Sequence, residues 1–237
     1  MMLRCGLATL TIGVLLAIPL YLSGCTEAGA VAYAVIGDIP TDAEYNLARV
    51  PTLVMVENYP NADESADDAD ILARYIIQNL NKNLNEKEKK KEEKKKLAPI
   101  VFVDTMKLYD LRTLDANKFH KMKIQEIGRR VGAKQVVYVS LDSMSVQSIG
   151  RSEMMRGVGS ARVKVVNCVS GQTLWPQESG GGYPVGFQSN IVTPQQDITY
   201  HEAQDKTMRA MAKNISQLFY KHGPDDDDNN DDQFSPD

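Results

Sequence analysis

"IGRRVGAKQVVYVSL", residues 127–141, contains the transition that decides the fold. Its first half closes a helix. Met122, Ile124, Ile127 and Val131 recur at helical spacing, which predicts a helix over 115–130. Gly132 stops it, because glycine accepts the left-handed backbone that ends helices. The second half then changes period. Val137, Val139 and Leu141 alternate with their neighbours, so "KQVVYVSLDS" (134–143) reads as a strand with one apolar face. A helix that feeds directly into such a strand must pack its stripe on the sheet.

The same reading extends in both directions. Upstream, "VPTLVMVEN" (50–58) is apolar and β-branched and predicts a strand. "ADDADILARYIIQNLNKNL" (66–84) predicts a helix, with Asp67 or Asp68 at its N-terminus. Leu72, Ala73, Ile76, Leu80 and Leu84 form its apolar face. "PIVFVDT" (99–105) reads as a second strand. Downstream, "ARVKVVNCV" (161–169) places Ala161, Val163 and Val165 on one side and Arg162 and Lys164 on the other. That pattern suits an antiparallel strand with one wet face. "SGQT" turns the chain, and "LWP" (174–176) starts a returning strand. "SGGGYPVG" (179–186) reads as a loop. A last helix over 200–222 points Met208, Met211, Ile215, Leu218 and Phe219 inward and ends at Gly223-Pro224. The predicted class is α+β, a mixed sheet packed by helices in the order βαβαβββα.

The N-terminus carries a different signal. Arg4 precedes the apolar run "GLATLTIGVLLAIPLYL", the charge-then-apolar pattern of an export signal. The run ends in Leu22-Ser23-Gly24-Cys25 rather than in a small-x-small cleavage site. A plain transmembrane anchor is the competing reading, but the run is short for a span and contains Pro19. Leu22-Ser23-Gly24-Cys25 resembles the lipobox of bacterial lipoproteins, whose cysteine receives a diacylglycerol and becomes the new N-terminus. This resemblance implies lipidation at Cys25, with acyl (palmitate-type) chains as the membrane anchor. Thr26 stands where an aspartate marks inner-membrane retention in such proteins, which implies the outer membrane, facing the periplasm. On this reading Cys5 leaves with the signal, and Cys168 is the remaining free thiol, expected to be a packed residue.

The expected organisation is a signal peptide at 1–24, a lipidated N-terminus and tether at 25–48, and a periplasmic interaction domain at 49–222. A Lys-rich insertion interrupts that domain at 85–98, and an acidic tail occupies 223–237. "EKEKKKEEKKK" (86–96) and "DDDDNNDD" have too little apolar surface to build a core, so both are expected to stay solvated. The net charge of -4 is not that of a nucleic-acid binder.

Three segments in order carry a second resemblance: "LVMVENY" leading through an acidic linker into "ILARYIIQNL", then "IGRRVGAKQVVYVSL", then "VKVVNCVSGQTLW". Residues 50–220 resemble the periplasmic domain shared by the curli-secretion channel lipoprotein, the penicillin-binding-protein activator lipoprotein and the N-terminal domain of the Tol-system propeller protein. The resemblance implies a module that binds partners rather than a catalyst. No pair of long alternating segments matches the membrane hairpins of the curli channel, which counts against a secretion-channel subunit.

Catalytic and metal motifs are not found. His120, His201 and His222 are scattered, and His201-Glu202 lacks the second histidine of a zinc helix. No site residue for catalysis, metal or cofactor is nominated. The expected function is a lipid-anchored, non-catalytic accessory module of the cell envelope. Its partner is expected to be an envelope protein or a second copy of the chain. An envelope hydrolase built from dispersed residues is the alternative. Trp175 is read as part of the core, with an exposed partner anchor as the other possibility.

Overall fold

The computed structural model describes residues 40–58, 66–87, 98–114, 116–148, 155–188 and 200–223. The chain divides into two compact units. One is Ala43–Tyr220, and the other combines Met1–Asp42 with Lys221–Asp237. The described part of the second unit is an antiparallel bridge. Thr41 and His222 exchange backbone hydrogen bonds of 2.8 and 3.1 Å, and Lys221 Nζ lies 2.8 Å from Asp42 Oδ1.

Ala43–Tyr220 is an α+β unit around a five-stranded mixed sheet. Its strands are β1 (Thr52–Asn58), β2 (Gln135–Ser148), β3 (Met155–Asn167), β4 (Thr173–Trp175) and β5 (Tyr183–Gln188). Its helices are α1 (Ala66–Leu80), α2 (Thr105–Leu114), α3 (Ala116–Phe119), α4 (Ile124–Arg130) and α5 (Tyr200–Gln217). A π-helical turn, Asn81–Lys87, prolongs α1. β1 runs parallel to β2, and β2 is antiparallel to β3. Both β4 and β5 pair with the far edge of β3.

The periodicities explain the two faces. Val54, Val56, Val137, Val139, Leu141, Ala161, Val163 and Val165 point to one side, where α1 and α5 cover them. Leu53, Met55 and Val136 point to the other, under Leu108, Phe119, Ile127 and Val131 of the α2–α4 layer. β1 is apolar at every position from Leu53 to Val56 because both of its faces are covered. Burying each such side chain contributes roughly 1.5–3 kcal/mol.

Glycines set the closest approaches. A Cβ at Gly128 of α4 would stand 2.5 Å from Cys168 Sγ and 2.7 Å from Val136 Cγ2, so α4 sits directly on the sheet. The β2–β3 register shifts between Leu141 and Ser143, which places Gly159 and Gly157 under α5. A Cβ at Gly157 would overlap the Thr207 side chain, and one at Gly159 would lie 3.1 Å from Met211 Sδ.

The 127–141 stretch folds as read. Gly132 has φ 88°, and the Ala133 N–H closes the helix end on Gly128 O at 2.8 Å. Other expectations need correction. "PIVFVDT" is not a strand. Its pairing is one parallel bridge between Thr52 and Phe102, because Asp104 Oδ1 then accepts the Met106 N–H at 2.9 Å and starts α2. The single helix expected over 115–130 is α3 and α4, separated by a turn at 120–123 in which Lys123 is extended. The expected loop at 179–186 contains the start of β5, whose Val185 is buried. The last helix ends at Gln217 rather than at 222, and Phe219 is buried in the turn that follows. The compact unit begins at Ala43, inside the stretch read as tether, because Leu47 is buried and Tyr45 N–H bonds to Leu218 O at 3.0 Å.

Candidate interaction surfaces

Cys25, the site expected to carry lipid, lies outside the described residues, as do 88–97 of the Lys-rich insertion and 224–237 of the acidic tail. The root of the insertion is described and is not part of a solvated block. Asn85 is buried, and its amide grips the backbone on the far side of the insertion. Nδ2 donates to Ile100 O at 2.9 Å, and Oδ1 accepts the Ile100 N–H at 2.9 Å. One side chain thus fixes both ends of the segment between them.

Cys168 is fully buried against Gly128, and burial pushes its thiol pKa up. A thiol in that setting packs rather than attacks. His120 and His201 are exposed and far apart in the chain, and His222 belongs to the bridge with Thr41. Among the described residues, no three His, Cys, Asp or Glu converge on a metal position. None of their helices is long and apolar enough to cross a membrane.

Trp175 is half-buried at the end of β4 and belongs to an aromatic group. Its ring stacks on Tyr183 with centroids 4.9 Å apart, meets Phe219 edge-on at 6.1 Å, and lies 6.0 Å from Tyr45. The register explains this placement, since Trp175 pairs with Val165 and so shares the α1–α5 face. Of the two readings of this residue, packing against the core is the one observed, with the side chain half-buried.

On the opposite face, polar pairs occupy the sheet beyond the helices. Tyr138 Oη donates to Glu57 Oε2 at 2.6 Å, with Lys164 Nζ 4.8 Å from the centre of its ring. Burial first, and then this hydrogen bond, push the Tyr138 pKa well above its ordinary value. Arg162 makes a bidentate pair with Asp142, the bulged residue of β2, at 2.6–3.2 Å. These groups satisfy one another across strands.

The surface that sequence reasoning missed is the outer side of α2–α4. α2 turns Leu108 inward. Arg112 also turns in, placing its guanidinium carbon 5.4 Å from the Phe119 ring centre and Nη1 3.3 Å from Asp70. At 100° per residue the opposite side then carries Met106, Tyr109 and Leu114, with Asp110 and Thr113 among them. Their exposures are 58%, 43% and 84%, and Val101, just before the helix, is 57% exposed. Residues 105–134 also hold eight Lys or Arg against three Asp or Glu, in a chain whose net charge is -4. The signal was available in "TMKLYDLRTL", where Asp104 caps and Leu108 and Leu111 pack. The apolar residues of 99–105 concealed it by suggesting a strand.

Neither a protein-family model nor a curated protein sequence matches the chain. Among solved structures, it is similar to the PelC dodecamer from Paraburkholderia phytofirmans, at 10% identity and TM-score 0.39, over 78% of this chain and 97% of that one. It is also similar to the LpoB C-terminal domain from Salmonella enterica, at 16% identity and TM-score 0.34, over 64% and 87%. A third similar structure is the lipoprotein GNA1162 from Neisseria meningitidis, at 10% identity and TM-score 0.34, over 59% and 83%.

Proposed function

We propose that this chain is a lipid-anchored accessory lipoprotein of the cell envelope, acting by binding rather than by catalysis as an activator or assembly factor. The observation that carries the reading is chemical. A thiol stands three residues past the apolar run, in Leu22-Ser23-Gly24-Cys25, with Thr26 after it. Two or three acyl chains on that thiol and its amine would hold the protein stably, each buried methylene contributing about 0.8 kcal/mol. The α+β unit then serves as the working domain on the periplasmic side of the outer membrane. The Cys25→Ala variant tests the reading in cells fed labelled palmitate. The native chain should incorporate label and mature to a shorter form. The variant should accumulate as unlabelled precursor, and label in the variant would reject the assignment.

A further inference from the structure

We propose that the outer face of the α2–α4 layer docks on an anionic phospholipid bilayer. A helix at a water-facing surface ordinarily shows polar residues outward. α2 departs from this on its outer side, leaving Met106, Tyr109 and Leu114 exposed among Lys107, Asp110 and Thr113 and beside Val101. The same layer holds the excess of basic side chains, among them exposed Lys118 at the end of α3 and Lys121 and Lys123 in the turn that follows. An occupant must therefore accept apolar side chains and carry negative charge. A second copy meets the first demand and fails the second, since a two-fold contact would set this basic layer against itself. An acidic groove in a protein would need apolar sockets matched to positions interrupted by Asp110 and Thr113. A bilayer interface accepts any spacing. Short apolar side chains enter the acyl boundary, Tyr sits at the headgroups, and lysine stems lie along the surface while their ammonium groups reach phosphate. The choice of a bilayer over other polyanions rests on the proposed acylation of Cys25, which would keep a membrane at high effective concentration.

The test uses the full chain with Trp175→Phe and a reporter, Tyr109→Trp, on vesicles whose acyl chains carry bromine, which quenches only indole at the bilayer. A companion chain carries Lys206→Trp on exposed α5 instead. Vesicles are made with and without phosphatidylglycerol, and flotation is measured on the same samples. The expected result is at least about two-fold quenching at position 109 with phosphatidylglycerol and little at 206, lost at high salt. Lys118→Glu with Lys121→Glu should abolish it. Flotation reports the anchor and quenching reports the face, so quenching without stable flotation supports docking and rejects acylation. Flotation with no quenching at 109 overturns docking and leaves acylation standing. A response at 109 to detergent-solubilised envelope protein, with none to vesicles, assigns the face to a protein and also overturns the proposal.

Discussion

Asn85→Ala probes the join between the folded unit and the Lys-rich segment. Asn85 is 6% exposed and Ile100 is 4% exposed, so the change opens two backbone groups in a nearly dry place. The side chain supplies one donor and one acceptor to Ile100, each at 2.9 Å, and a further donor contact to Asn81 Oδ1 at 2.7 Å. An orphaned buried N–H or C=O costs about 1–3 kcal/mol, and water entering the vacated volume recovers part of that. The expected loss is about 2–4 kcal/mol, measured as a shift of the urea midpoint at constant slope. Two companions separate the causes. Asn85→Leu fills the volume and orphans both groups, so it should cost as much as the alanine. Asn85→Asp keeps the acceptor for the Ile100 N–H but sets a carboxylate against Ile100 O in this nearly dry place, so it should cost at least as much as Asn85→Leu. If alanine costs less than about 0.5 kcal/mol, solvent satisfies Ile100 and the clamp contributes nothing.

Trp175→Ala should cost about 2 kcal/mol, below the range for a fully buried ring, because the residue is half-buried among Tyr45, Tyr183 and Phe219; thermal unfolding checks this. Its fluorescence should respond to acrylamide less than that of free indole and more than that of a buried one. Gly128→Val should be far worse, more than about 3 kcal/mol, since even a Cβ meets Cys168 and Val136; recovery of native stability in that variant would contradict the seating of α4. Alkaline titration has a fixed sign. The Tyr138 pKa is raised on folding, so its contribution is complete below the ordinary tyrosine pKa near 10 and is lost as pH rises through the folded value. Stability should therefore decline above about pH 10, less steeply in Tyr138→Phe, and equal slopes would remove Tyr138 as a cause. Replacing 88–97 by a short Gly-Ser linker, or deleting 224–237, should change stability by less than about 2 kcal/mol by urea titration.

Where packing has one period, the sequence was enough to place it. α1 and its π-helical extension show five apolar positions on one face, and Leu72, Ala73, Ile76, Leu80 and Leu84 are all buried. β2 and β3 alternate over Val137–Leu141 and Ala161–Val165, and the residues they turn to the α1–α5 side are the centre of that core. The failures have physical causes. Val101 and Val103 look like strand residues, yet the segment makes one bridge to Thr52 before Asp104 accepts the Met106 N–H and caps α2. β5 was hidden by Gly180–Gly182 and Pro184, which favour turns until the edge of β3 supplies hydrogen bonds. Tyr45 and Leu47 pack against partners far along the chain, so no window around them reveals it.

The exposed apolar face of α2 was illegible for a related reason. Sequence periodicity identifies an apolar stripe but does not say which neighbour receives it. In α1 the stripe meets the sheet, and Tyr75 Oη adds a bond to Asp205 of α5 at 2.5 Å, with the Arg209 guanidinium 4.2 Å from the ring centre. That helix is used on its inner and lateral sides and leaves no large apolar residue exposed. α2 has the same kind of composition but spends Leu108 and Leu111 on the sheet and leaves Met106, Tyr109 and Leu114 outside. A fold stabilised by α1, α5 and the sheet can tolerate such a face without collapsing onto it. The exposed lysines around it, Lys118, Lys121 and Lys123, would favour solubility of such a face and, on the docking proposed above, an anionic occupant.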